Sequence, residues 1–186
     1  MSAQPVERKI WHVASGFDVD PLRKQLEDPD VWNGRKERTA FYSSPHSQVD
    51  DIWVRYRDFA DYDGRPEFFS EPHESVWYPV MVKIPAAWSL SRKLLRFMGC
   101  KTLGGVLITR IPPGGMVDWH VDGGWHAREY RKVALQVMGN QDQAFQFEGE
   151  ELRPNPGDVY EFCNQWSHRV INESDEPRCT LIACMK

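Results

Sequence analysis

The sequence predicts a mainly β fold of jelly-roll type, with N-terminal helices covering one sheet face. Strand-sized β-rich runs fill the chain from residue 103 to its end. They recur roughly every 8–12 residues between turn signals, the rhythm of an antiparallel sandwich or barrel. Both clear helical patterns fall before Gly99.

Taken in order, the first helix is expected over residues 20–26. Asp20 suits the cap, Pro21 the first helical position, and Leu22 and Leu26 share a face, while Asp28-Pro29 ends it. Residues 51–56 alternate and predict a strand. Residues 58–75 are polar, hold Gly64, Pro66 and Pro72, and predict a loop. A second helix starts at Pro85 or Ala86 and runs to Met98. Trp88, Leu94, Leu95 and Met98 recur at helical spacing, and Gly99 suits the C-terminal cap. Strands are expected at 106–111, ending in Pro112-Pro113-Gly114-Gly115, then at 116–122, 133–138 and 144–147. The turns 148–150 and 154–158 lead to strands at 159–162, 169–172 and 180–185, and residues 123–130 predict a loop. The expected organisation is one structural domain, with a helical and loop region over 1–100 packed on a β core over 101–186.

Composition narrows the function classes. Hydrophobic residues make up 41% of the 186, enough for a core, and eight tryptophans and nine phenylalanines also suit a substrate cleft. A net charge of −4 gives no electrostatic footprint for nucleic acid. No window approaches the roughly 18 apolar residues of a membrane span. The first nine residues carry no apolar stretch fit for a signal peptide. Cys100, Cys163, Cys179 and Cys184 form no C-x-x-C pair, so the expectation is reduced thiols in a cytoplasmic protein rather than structural zinc.

His120-Val121-Asp122 places two ligand types at i and i+2, on one face of a strand. The pattern is weak alone, with about half an occurrence expected by chance in a chain of this composition. His168 supplies a third ligand several short strands later. Two neutral imidazoles and one carboxylate on one face of an octahedron suit non-haem Fe(II), with positions left open for a co-substrate and O2. Arg178 follows ten residues after His168, and Thr180 points the same way on the last strand. A guanidinium fork beside a hydroxyl suits a dicarboxylate. An arginine buried there without a partner would be costly. Trp119, Trp125 and Trp166 flank the ligands and suit either cavity walls or core. His126 is expected in an exposed loop, and His12 and His73 are expected to be structural or superficial.

Ile111-Pro112-Pro113-Gly114-Gly115, His120-Val121-Asp122, the run from Pro156-Gly157-Asp158 to Phe162, and the run from His168 to Arg178 together resemble the aspartyl/asparaginyl β-hydroxylase family of Fe(II)/2-oxoglutarate oxygenases. The resemblance covers the C-terminal half well and the first 100 residues loosely, through Ser44-Pro45-His46 and residues 51–56. It implies a double-stranded β-helix in which His120, Asp122 and His168 hold iron. Arg178 would anchor the C5 carboxylate of 2-oxoglutarate with Thr180, and Thr109 would assist it. Arg131, or its competitor Arg128, would face the cleft. Arg55, Arg128 and Arg131 are candidates for a substrate carboxylate.

The implied activity is hydroxylation of an amino-acid side chain, free or within a peptide or protein, with release of succinate and CO2. The name-giving aspartyl hydroxylases lack the carboxylate ligand, so Asp122 moves the substrate away from aspartate and disfavours halogenation. Two alternatives stand beside this reading. One is oxidative dealkylation, which in the relevant oxygenases uses an arginine where Cys184 stands. The other is a non-catalytic metal-binding cupin-type module, which would not need Arg178.

Overall fold

The computed structural model describes residues 8–40 and 43–186. Of the N-terminal segment read for a signal peptide, only Arg8 and Lys9 lie within the described residues. The elements in chain order are β1 (Ile10–Ala14), α1 (Asp20–Gln25), β2 (Asp50–Arg57), β3 (Ser75–Trp77), α2 (Pro85–Phe97), β4 (Leu103–Ile111), β5 (Met116–His120), α3 (Gly124–Glu129), β6 (Arg131–Met138), β7 (Gln143–Phe147), β8 (Glu150–Leu152), β9 (Val159–Phe162), β10 (His168–Asn172) and β11 (Arg178–Met185). Short 3-10 turns punctuate the stretch before α2.

The strands form two antiparallel sheets. The larger has the order β1-β9-β6-β11-β4-β2-β3 and the smaller β5-β10-β7-β8. Their non-sequential order is that of a double-stranded β-helix.

Strand alternation divides the core in two. Cys179, Leu181, Ala183 and Met185 of β11 and Val133, Leu135 and Val137 of β6 pack under the helical layer, against Leu22, Leu90 and Leu94. Ala134, Tyr160 and Phe162 face the other way and meet Val117, Phe145 and Val170 of the small sheet. Arg178, Thr180, Ile182 and Cys184 share that inner side and line a cavity between the sheets. The N-terminal helices therefore cover the outer face of the large sheet, as expected.

Local signals mostly held, with shifts at the ends. Helix α1 starts one residue earlier than expected: Asp20 is already helical, the cap position falls to Val19, and the Asp18 carboxylate accepts from the Asp20 N–H at 3.2 Å. Gly99 ends α2 at φ +66, with the Gly99 N–H donating to Arg96 O at 3.1 Å and the Cys100 N–H to Leu95 O at 3.0 Å, a Schellman cap.

Three strands and one helix had no sequence expectation. β1, β3 and β8 have five, three and three residues, too few to show a period. β8 belongs to a tight hairpin in which Phe147 pairs with Glu150 around Glu148-Gly149, with Gly149 at φ +77. α3 occupies the expected loop 123–130. Three strands of the large sheet come from the first 100 residues: β1 pairs with β9, and β2 with β4 and β3. The four cysteines are free, with Cys179 and Cys184 buried. Among the described residues no helix is long and apolar enough to cross a membrane.

Candidate metal centre and co-substrate pocket

His120 ends β5 and His168 begins β10, and the antiparallel register sets them directly opposite each other. Asp122 lies just past the end of β5. Its N–H donates to Asn164 O at 3.2 Å, which ties it to the loop leading into His168. The ligand atoms of His120, Asp122 and His168 all lie within 4.8 Å of one another. His120 Nε2 is 3.4 Å from Asp122 Oδ1, and His168 Nε2 is 3.9 Å from Asp122 Oδ2.

The outer side of each imidazole fixes its inner side. His120 Nδ1 is 2.8 Å from Asp118 O, and His168 Nδ1 is 2.8 Å from Trp166 O. A carbonyl only accepts, so both Nδ1 atoms carry the proton and both Nε2 lone pairs point at the shared space. Backbone contacts of this kind orient metal-binding histidines. Burial presses the His168 imidazole down to about 4, against the pull of the Asp122 charge, so at neutral pH it is an uncharged donor. Burial opposes the charge on Asp122, yet the Lys132 ammonium beside it holds its carboxyl well below the usual carboxylate range. The donor set therefore fits a divalent cation of Fe(II) type.

Arg178 stands in the same cavity, buried to 3% exposure. Its Nη1 donates to Thr180 Oγ1 at 2.8 Å and its Nη2 to Tyr160 Oη at 3.0 Å, while Nε is buried with no partner. Thr180 in turn donates to Gln136 Oε1 at 3.2 Å. Among the described residues no carboxylate pairs with Arg178, so the expected cost of burying it is met by hydroxyls alone. A buried guanidinium with an orphaned N–H, beside two hydroxyls, fits an external carboxylate.

The structure does not gather every expected residue. Thr109 does line the cavity, across from Thr180 in register, with its hydroxyl donating to Asp51 Oδ1 at 3.0 Å. Asp51 is fully buried, and its other oxygen is 3.1 Å from Arg38 Nε. Arg131 faces away from the cavity, exposed at the start of β6, and forms a two-pronged pair with Glu161 at 2.7 and 2.6 Å. Arg128 is exposed and bonds Ser70 O at 2.8 Å. Of the three substrate arginines only Arg55 lines the cavity.

Trp119 and Trp166 lie exposed on the outside of the small sheet and do not wall the cavity, and Trp125 packs against His73 and Tyr130. His126 is not an exposed loop residue. It is buried on α3 and lines the cavity, its ring packed over Gly104 and Gly105. Burial and the nearby charges press it down to about 3. His46 also reaches the site, edge-on to His120 at 4.6 Å and bonded to Arg38 Nη2 at 2.9 Å.

Tyr160, Gln136, Lys132 and Arg38 had no sequence expectation. The period of two in residues 159–162 carries a signal for Tyr160, because Val159 belongs to the apolar side under the helices. Lys132 and Gln136 follow by the same parity from Val133, Leu135 and Val137. The cavity has a volume of about 380 Å³ and extends from Arg178 past the triad to Trp53, Arg55 and Tyr56.

A two-sheet β-helix with a His/Asp/His cluster and a buried arginine in one cavity defines a cupin-type protein with a candidate metal centre. The family model described as aspartyl/asparaginyl β-hydroxylase matches residues 68–186, a span that holds the triad and Arg178, and the chain belongs to that family of hydroxylases. No curated protein matches the chain. Its fold is similar to an oxidoreductase of the 2OG-Fe(II) oxygenase family from Burkholderia pseudomallei, at TM-score 0.57 and 12% identity, covering 96% of this chain and 84% of that one. It is also similar to the viral collagen prolyl hydroxylase of Paramecium Bursaria Chlorella virus-1, solved with 2OG, at TM-score 0.53 and 10% identity, covering 96% of both chains.

Proposed function

We propose that this protein is an Fe(II)/2-oxoglutarate-dependent dioxygenase that hydroxylates an amino-acid side chain, free or within a peptide or protein, with release of succinate and CO2. The observation that carries the reading is the pairing, in one cavity, of the His120/Asp122/His168 cluster with a buried Arg178 that has no internal carboxylate partner. A bare metal-binding module has no use for that arginine.

His120 Nε2, His168 Nε2 and an Asp122 oxygen would hold the metal. Bound Fe(II) supplies the oxidation of the substrate by O2, coupled to decarboxylation of 2-oxoglutarate. The chain's own groups bind and orient. Arg178 receives the far carboxylate of 2-oxoglutarate, with Thr180 and Tyr160 completing the cradle. Phe145 and Val170 of the small sheet and Phe162 of the large one exclude water from this space. Trp53, Arg55, Tyr56 and His126 form the remaining wall, where a substrate would enter, and Arg55 offers a cation to its carboxylate. The family name and the viral collagen prolyl hydroxylase support an amino-acid side chain as the class of substrate. Free thiols, two of them buried, fit a reducing compartment such as the cytoplasm.

The test is succinate formation from 2-oxoglutarate by protein loaded with Fe(II), run in air against pools of amino acids and peptides, with Asp122→Ala as control. Succinate above the control, rising with one pool, is expected. No excess over the control in any pool sinks the reading.

A further inference from the structure

Lys132 is the cation nearest the metal cluster. It projects inward from β6, where the register sets it between Phe162 of β9 and Cys184 of β11. Its Nζ lies 2.5 Å from Asp122 Oδ2, and its side chain is only 17% exposed. Among the described residues Asp122 is the one carboxylate within reach of that ammonium, and Nζ makes no other hydrogen bond.

The two oxygens of Asp122 are thereby made unequal. Oδ1 is 3.4 Å from His120 Nε2, the nearest histidine donor, while Oδ2 is taken by the ammonium. A carboxylate with both oxygens free can chelate a divalent ion through the pair. An ammonium at hydrogen-bond distance from one of them lowers its donor strength and repels a second cation there. Burying a lysine costs desolvation free energy that an apolar side chain of the same length would not incur.

From this geometry, and resting on the oxygenase reading, we propose that Lys132 is a positioning residue that confines Asp122 to one-oxygen coordination and so keeps a metal position open for 2-oxoglutarate.

The experiment uses the full chain with Mn(II) as probe, and with Co(II) for its visible spectrum. Calorimetry without oxygen gives the affinity for Mn(II), then that of the loaded protein for 2-oxoglutarate. Lys132→Met keeps the length and apolar stem of the side chain and removes the charge. It is expected to bind Mn(II) at least as tightly as the native chain and to weaken 2-oxoglutarate binding by roughly 10–100-fold, the usual cost of removing a group that orients a metal ligand. The Co(II) spectrum without 2-oxoglutarate is expected to shift, reporting a changed coordination number. Lys132→Gln, measured beside it, shifts the same way, and Lys132→Arg recovers most of the affinity.

The proposal is overturned if both neutral variants bind 2-oxoglutarate as the native chain does. It is also overturned if they lose Mn(II) along with it, or if Lys132→Arg fails as they do. If the native chain binds no Mn(II), or binds it and then takes no 2-oxoglutarate, the oxygenase reading itself falls and this inference with it.

Discussion

His120, Asp122, His168 and Arg178 stand out in the sequence because each has a residue type tied to one chemistry and a spacing that strands can close. Thr109 reaches the cavity wall and Arg131 does not, and in both cases a carboxylate engages the side chain. Asp51 takes the Thr109 hydroxyl, and Glu161 takes Arg131. Neither partner is close in sequence, so no local pattern reveals them.

Asp50 shows the same competition and yields a pH test. Its carboxylate accepts from Arg110 at 3.1 and 2.6 Å and from Asn33 at 2.6 Å. Burial opposes its charge, yet these donors hold its carboxyl below its ordinary 3.8. A depressed folded-state value stabilises the protein above the unfolded value, and that stabilisation is lost as pH falls through the folded one. Asp50→Asn is therefore expected to cost about 0.5–1 kcal/mol at pH 7, as partly exposed pairs do. Its unfolding curve should converge on that of the native chain as pH falls through the folded-state value. A difference that does not change with pH would refute the charge assignment.

Elements were legible where an amphipathic period had room to repeat. Helix α2 spans thirteen residues and β11 eight, and both carried clear signals. β11 also shows why its inner residues are unusual for a strand: Leu181 and Met185 satisfy the helical layer, which frees Arg178 and Thr180 to face the cavity. Helix α3 was hidden because six residues make fewer than two turns and begin at glycines.

Contact with β4 holds α3 in place. A methyl group at Gly105 would stand 3.0 Å from His126 Nδ1 and 3.2 Å from a Tyr56 ring carbon. Gly105→Ala is expected to push His126 and α3 outward and to destabilise the fold by about 1–3 kcal/mol. Thermal unfolding checks this, and a native-like midpoint would show that α3 is not seated by that contact.

At the scale of the molecule, two sheets and a helical layer give each face of the large sheet a different task. The outer face is sealed by Leu22, Leu90 and Leu94, and the inner face is left to chemistry. The β rhythm after Gly99 and the helices before it made that layering readable. The part played by the first 100 residues in the sheet was not, because β1 and β3 are short edge strands and the partner of β1 lies far along the chain. With β2 they complete the sheet that carries Arg178 and Thr180, so the pocket depends on both halves.

The central claim is that Arg178 is buried to receive a carboxylate of 2-oxoglutarate beside the metal. The most direct measurement is an anaerobic calorimetric titration of 2-oxoglutarate into the Mn(II)-loaded native chain and into Arg178→Ala. Removing one side of a buried charge pair costs about 2–4 kcal/mol, so the variant is predicted to bind roughly 30- to 1000-fold more weakly with its Mn(II) affinity retained. Equal 2-oxoglutarate affinity in the two proteins would contradict the claim.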